Sequence, residues 1–185
     1  MITSNDLRSG MSILYEDNLY QVIDTSQNKS ARSQMIVKAK VRNMRTGSIV
    51  ELTFTGGDKV KRAHIEKREM QYLYDAGEAL VFMDEETYEQ IEIPKERLEW
   101  ELNFLIENQT ATVVFYEAEV LGVNLPEKIS LEVTEAEPAV KGDTATNAQK
   151  NAVVQTGYAV RVPLFVERGD RIILSTSDGK YISRD

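Results

Sequence analysis

Arg32 and Lys29 stand close together in Gln27-Asn28-Lys29-Ser30-Ala31-Arg32-Ser33-Gln34, a stretch with no acid, no glycine and no proline. A guanidinium fork hydrogen-bonds phosphate, carboxylate or backbone carbonyl in a fixed planar geometry, and a neighbouring ammonium adds positive potential. Ser30, Ala31 and Ser33 are too small and polar to build a core around these cations. The chemistry on offer is recognition of an anionic partner rather than bond-making. A solvated loop tip is the plainer reading of the same residues. Three more cations, Lys38, Lys40 and Arg42, follow at alternate positions and so share one face of a strand. They extend the polarity of the stretch into a basic stripe, although alternation alone says only that this face is wet.

Other candidates for chemistry are few. His64 is the single histidine, so a nucleophilic triad has one base to draw on and a histidine-rich metal site has no second ligand. With no cysteine in the chain, disulfides, thiolate catalysis and cysteine-bound metals are excluded. Asp84, Glu85 and Glu86 lack the spacing and central glycine of a calcium loop and read as hairpin-loop charges. No glycine-rich phosphate loop, nucleophile elbow or zinc motif occurs. The expectation is a binding protein rather than an enzyme, with no metal and no separate cofactor.

The elements that must carry the basic stretch come next. Of the 185 residues, 42% are hydrophobic and 28% charged, the balance of a globular chain. The net charge of −8 is unevenly spread: 10 Lys/Arg face 6 Asp/Glu in residues 1–64, 4 face 16 in residues 65–127, and 8 face 8 in residues 128–185. That polarity suits a molecule whose first third meets phosphate while its middle does not. Met1-Ile2-Thr3-Ser4-Asn5-Asp6 has neither a basic nor an apolar leader character, and no apolar run approaches membrane-spanning length; a cytoplasmic protein without a membrane partner is expected.

Turn signals at Ser9-Gly10, Glu16-Asp17-Asn18, Thr46-Gly47 and Gly56-Gly57 punctuate short β-rich runs, the pattern of a small barrel over residues 1–64, with 27–34 as its exposed tip. In residues 65–127, runs at 70–74, 80–84 and 88–93 read as strands. Pro94 then opens a predicted helix over 95–107, with Leu98, Leu102, Leu105 and Ile106 at helical spacing, before strands at 112–116 and 119–123. Three strands, a helix and two strands is the order of an OB-type barrel. Residues 128–185 repeat the β pattern, with strands at 129–134, 159–163, 171–175 and 180–184. Ala139 to Gln155, polar and poor in large apolar residues, reads as a long surface loop.

Against this background the run Lys150-x-Ala152-x4-Gly157-x2-Val160-x-Val162-Pro163-x2-Val166-x2-Gly169 resembles the signature of the bacterial translation elongation factor P family. Arg42-Asn43-x-Arg45-Thr46-Gly47, Gln71-Tyr72-Leu73-Tyr74, Phe82-Met83-Asp84, Glu137-Pro138-x-Val140-Lys141-Gly142-Asp143-Thr144 and Tyr181-x-Ser183-Arg184 look like the same family, in order along the chain. The resemblance implies an all-β fold of three barrels in a tRNA-like L: an SH3-like (KOW-type) domain followed by two OB-folds. It implies relation to the hypusine-containing translation factor of eukaryotes and archaea. It implies a monomer that binds both ribosomal subunits between the peptidyl and exit sites and aids peptide-bond formation on stalled proline runs by stabilising peptidyl-tRNA. By the same resemblance Arg32 reaches toward the peptidyl-transferase centre, Lys29, Ser30, Ala31 and Ser33 support it, and Lys38, Lys40 and Arg42 meet RNA. Gly142, Asp143 and Thr144 would read the mRNA codon in the exit site, and Tyr181 and Arg184 would contact tRNA. Many members carry a modified lysine where Arg32 stands; Asn28-Lys29-Ser30-x-Arg32 looks like the branch that attaches rhamnose to arginine, which implies an arginine rhamnosyltransferase as a further partner. That branch commonly has glycine where this chain has Ala31. A general single-stranded RNA binder built on OB-folds is the alternative, and the acidic middle third speaks against it.

Overall fold

The computed structural model describes residues 1–29, 31–139 and 148–185. Its strands form three sheets of six, five and five strands. Among the described residues the only helical elements are single 3-10 turns. Contacts gather them into two compact units, Met1–Lys67 with Val114–Leu121, and Arg68–Val113 with Gly122–Asp185.

The first sheet contains β1 (Ile2–Thr3), β2 (Ser12–Tyr15), β3 (Asn18–Asn28), β4 (Ile36–Asn43), β5 (Ile49–Thr55) and β6 (Lys59–Arg62). Its strand order is β1-β6-β2-β3-β4-β5. Alternation decides the faces: Val37, Ala39 and Val41 are 0% exposed and join Leu7, Ile13, Val22, Phe54 and Val60 in one core. The positions between them stay in solvent. β3 and β4 pair without a break from Asp24↔Lys40 to Asn28↔Ile36, so Gln27 and Asn28, expected within the tip, belong to the strand. The connection proper leaves after Asn28 and returns at Ile36, and its described residues are Lys29 and Ala31 to Met35.

The second sheet contains β7 (Ile65–Asp75), β8 (Ala79–Asp84), β9 (Gln90–Pro94), β10 (Thr110–Tyr116) and β11 (Glu119–Asn124), ordered β11-β10-β7-β8-β9. The helix predicted over 95–107 does not form; two 3-10 turns, Lys95–Arg97 and Glu101–Asn103, take its place. The reason lies in the burial. Leu98 is buried, and Phe104, about 120° away around an ideal helix, belongs to the core of the third sheet, which does not include Leu98. One apolar stripe cannot serve both directions, so the chain breaks between them.

The third sheet contains β12 (Lys128–Ala136), β13 (Gln149–Val154), β14 (Ala159–Pro163), β15 (Arg171–Ser175) and β16 (Tyr181–Arg184), ordered β14-β13-β12-β15-β16. β13 corrects the expected loop over 139–155. Its inward positions are Lys150, Ala152 and Val154, all buried. A lysine and an alanine on the core face hide the alternation that would have announced a strand.

Candidate nucleic-acid interface

The tip loop leaves β3 after Asn28 and rejoins β4 at Ile36. Lys29, Ala31, Arg32 and Ser33 are all exposed; Ser30 lies outside the described residues. The same hairpin carries the basic stripe. Lys38, Lys40 and Arg42 are exposed on the face of β4 opposite its buried residues.

Cross-strand partners sit side by side on one face of a sheet. Lys38 lies between Ser26 and Thr53, Lys40 between Asp24 and Glu51, and Arg42 between Gln21 and Ile49. The stripe is therefore not uniformly basic. Lys38 Nζ lies 3.9 Å from Glu51 Oε1, with both side chains well exposed. An anion docking here must compete with two carboxylates, a feature invisible in the alternation of β4 alone.

Beneath the tip, the 3-10 turn Ser4–Asp6 meets the ends of β3 and β5. Gln27 Nε2 donates to Asn5 O at 3.3 Å, and the Ser4 hydroxyl donates to Thr55 O at 2.8 Å. Gly56 N–H donates to Met35 O at 2.6 Å, where the tip loop ends. The sequence marks Gly56 only as half of a turn signal and gives Asn5 no role, because a turn residue and one glycine of a Gly-Gly pair carry no periodic signal.

Arg45, in the turn between β4 and β5, makes a two-pronged contact with Glu119: Nε to Oε1 at 3.1 Å and Nη2 to Oε2 at 3.0 Å. Its Nη1 also donates to Asp17 O at 3.2 Å. The carboxylate holds the guanidinium above its ordinary pKa. This arginine is engaged within its own unit.

On β16, Tyr181 is half-buried against the core of the third sheet, and the Arg184 guanidinium lies 4.8 Å from the centroid of the Phe165 ring. Phe165 is 56% exposed, so the pair forms an accessible cation-aromatic platform. Gly142, Asp143 and Thr144 lie outside the described residues.

The remaining candidates take ordinary structural places. His64 is exposed. Asp84 is buried at the end of β8, where its Oδ1 accepts from the backbone N–H groups of Glu86 at 2.8 Å and Thr87 at 3.2 Å. Those donors, together with Arg68, hold its carboxyl below the usual range. Among the described residues no group of three or more His, Cys, Asp or Glu side chains could hold a metal ion, and no helix is long and apolar enough to cross a membrane.

Three family profiles tile the chain: "Elongation factor P (EF-P) KOW-like domain" over residues 3–60, "Elongation factor P (EF-P) OB domain" over 65–123 and "Elongation factor P, C-terminal" over 129–184. The chain is 54% identical over 180 residues to elongation factor P of Mesoplasma florum, covering 97% of both chains. The chain belongs to the elongation factor P family. Elongation factor P of Mycoplasma mycoides subsp. mycoides SC is 53% identical over 180 residues, covering 97% of this chain and 98% of that one. Family membership makes this a translation factor with a KOW-like and an OB domain.

Two solved structures share the fold at low identity. Eukaryotic translation initiation factor 5A from Methanococcus jannaschii superposes with a TM-score of 0.50 at 18% identity, over 66% of this chain and 94% of that one. A translation initiation factor eIF-5A family protein from Naegleria fowleri gives 0.53 at 14% identity, over 67% and 96%.

Proposed function

We propose that this elongation factor P family member binds the ribosome between the peptidyl and exit sites and accelerates peptide-bond formation on stalled proline runs. The observation that carries the reading is the exposed Arg32, held beyond the last paired residues of the β3–β4 hairpin. The ribosome supplies the chemistry. The factor supplies position: a fixed group beside peptidyl-tRNA lowers the entropic cost of the productive geometry.

In this reading Lys38, Lys40 and Arg42 meet RNA phosphate, and the accessible Arg184 with Tyr181 meets tRNA. Gly142, Asp143 and Thr144 face the codon in the exit site. Arg32 carries a rhamnose added by a partner transferase, no separate cofactor is needed, and the protein works as a cytoplasmic monomer.

The test is synthesis of a Pro-Pro-Pro reporter in a strain lacking the endogenous factor, complemented with wild type or Arg32→Ala. Wild type should restore synthesis, and Arg32→Ala should restore little while still binding ribosomes. Full restoration by Arg32→Ala would overturn the reading.

A further inference from the structure

The base of the tip is a wedge built from the start of the chain. The turn Ser4–Asp6 is closed by Asp6, whose carboxylate accepts from Thr3 N–H at 3.1 Å and from the Thr3 hydroxyl at 2.8 Å. Ser4 is fully buried and ties this turn to the far end of β5, through N–H to Asp58 O and hydroxyl to Thr55 O, both at 2.8 Å. Asn5 O receives the Gln27 amide from the end of β3 at 3.3 Å. The ends of the tip-bearing strands thus converge on one residue pair.

Gly56 is that pair's other half. A Cβ there would sit 3.0 Å from Met35 Cβ, 3.1 Å from Met35 O and 3.3 Å from Asn5 Oδ1. Its φ lies outside the left-handed region, unlike that of Gly57 at +91°, so position 56 needs the absent side chain for space. The Asn5 Oδ1 that fills this space is buried without a hydrogen-bond partner among the described residues. Such an orphaned acceptor weakens a fold rather than holding it. Its place is against the backbone where the loop bearing Arg32 returns to the sheet.

We propose that Gly56 is a positioning residue for the tip. Its bare Cα, set between Asn5 and Met35, fixes the direction in which the loop over residues 29–35 leaves the hairpin, and hence where Arg32 is presented. The β4–β5 pairing ends at Ile36↔Thr55, so Gly56 and Met35 meet just past the ladder. No further strand pair there absorbs a displacement. The inference rests on the ribosomal reading above for its functional half.

The experiment uses full-length protein with two readouts. The chain has no cysteine, so spin labels on Ala31→Cys and Lys61→Cys report one distance between tip and sheet. Pro-Pro peptide-bond formation on purified ribosomes, without labels, reports the saturating rate and the factor concentration at half-saturation. Gly56→Ala should shift or broaden the distance distribution and lower the saturating rate about tenfold, the scale on which sub-ångström to ångström misplacement acts. Half-saturation should move less than about twofold, because the RNA-binding face is untouched. Adding Met35→Gly, which removes the crowded Cβ, should return both readouts toward wild type.

Asn5→Ala opens the wedge from the other side without adding an atom, and should broaden the same distribution. An unchanged distribution in both Gly56→Ala and Asn5→Ala would overturn the proposal. So would a shifted distribution with an undiminished rate, a change in half-saturation alone, or a rate loss that Met35→Gly does not relieve. Wild type giving no acceleration would sink the ribosomal reading, and the distance measurement would still decide the wedge.

Discussion

Replacing Arg32 by lysine keeps the charge and removes the planar fork. In the proline reporter Arg32→Lys should therefore perform no better than Arg32→Ala, and rescue by lysine would show that charge alone suffices. The same residue carries the modification proposal. Intact protein from its own cell should be heavier than recombinant protein by one deoxyhexose per chain, and equal masses would refute it. Two acids away from the tip make opposite predictions with pH. Asp84 is held below its ordinary pKa by the N–H groups of Glu86 and Thr87 and by Arg68. It stabilises the fold above the unfolded carboxylate pKa, and that stabilisation is lost as pH falls through the lower folded value. Asp84→Asn should lower the melting temperature at pH 7, and the gap to wild type should narrow in acid. Glu101, half-buried beside Trp100, has its pKa raised by desolvation. Ionising it in the folded state is unfavourable, so stability falls as pH rises through its folded pKa. Glu101→Gln should raise the melting temperature at pH 7 and leave it unchanged in acid. Melting curves of both variants at the two pH values check the signs.

The β3–β4 hairpin was the most legible element. Alternation from Val37 to Arg42 announced both its buried and its wet face, since a period of two follows directly from strand geometry. What β4 could not announce was its neighbours, because register is set by pairing and not by any one strand. The structure puts Asp24 and Glu51 beside Lys40 and lets Glu51 reach Lys38. Reversal of Lys38, Lys40 and Arg42 to glutamate should weaken ribosome binding and flatten its salt dependence. Glu51→Gln should do the opposite, tightening binding by freeing Lys38. Filter binding across a salt series distinguishes them, and a neutral result for both would remove the stripe from the interface. The two misread segments failed for physical reasons already visible in their burial. Residues 95–107 have the spacing of a helix, but Phe104 is drawn into the third sheet's core, which does not include Leu98. β13 has the burial of a strand, but Lys150 and Ala152 conceal it.

At the scale of the whole molecule the charge asymmetry and the number of barrels were legible in the chain, whereas the junction of the second and third sheets was not. Phe104, 0% exposed, packs into the third sheet's core although its own segment lies between β9 and β10 of the second sheet. Its ring lies 5.2 Å from Tyr158 and 5.2 Å from Trp100. Trp100 Nε1 donates to Thr176 O at 2.8 Å, and the Tyr158 hydroxyl donates to Gly179 O at 3.1 Å. Gly179 has φ +74°, and a Cβ on it would overlap that hydroxyl. Trp100 is the single tryptophan, so its fluorescence reads this junction. Phe104→Ala should cost about 3–5 kcal/mol, the usual loss for emptying a buried aromatic site. The fluorescence and circular-dichroism transitions should shift together in denaturant; a dichroism curve left in place would show that the junction is separable. A consequence reaches beyond stability, to how such proteins can recombine. The OB-domain profile ends at residue 123 and the C-terminal profile begins at 129, which makes the intervening linker look like a natural seam. A gene exchange cut at that seam would graft a new C-terminal barrel onto the previous owner's Phe104. Only donors whose cores accept that ring would survive the exchange, so these two modules should be inherited as a pair.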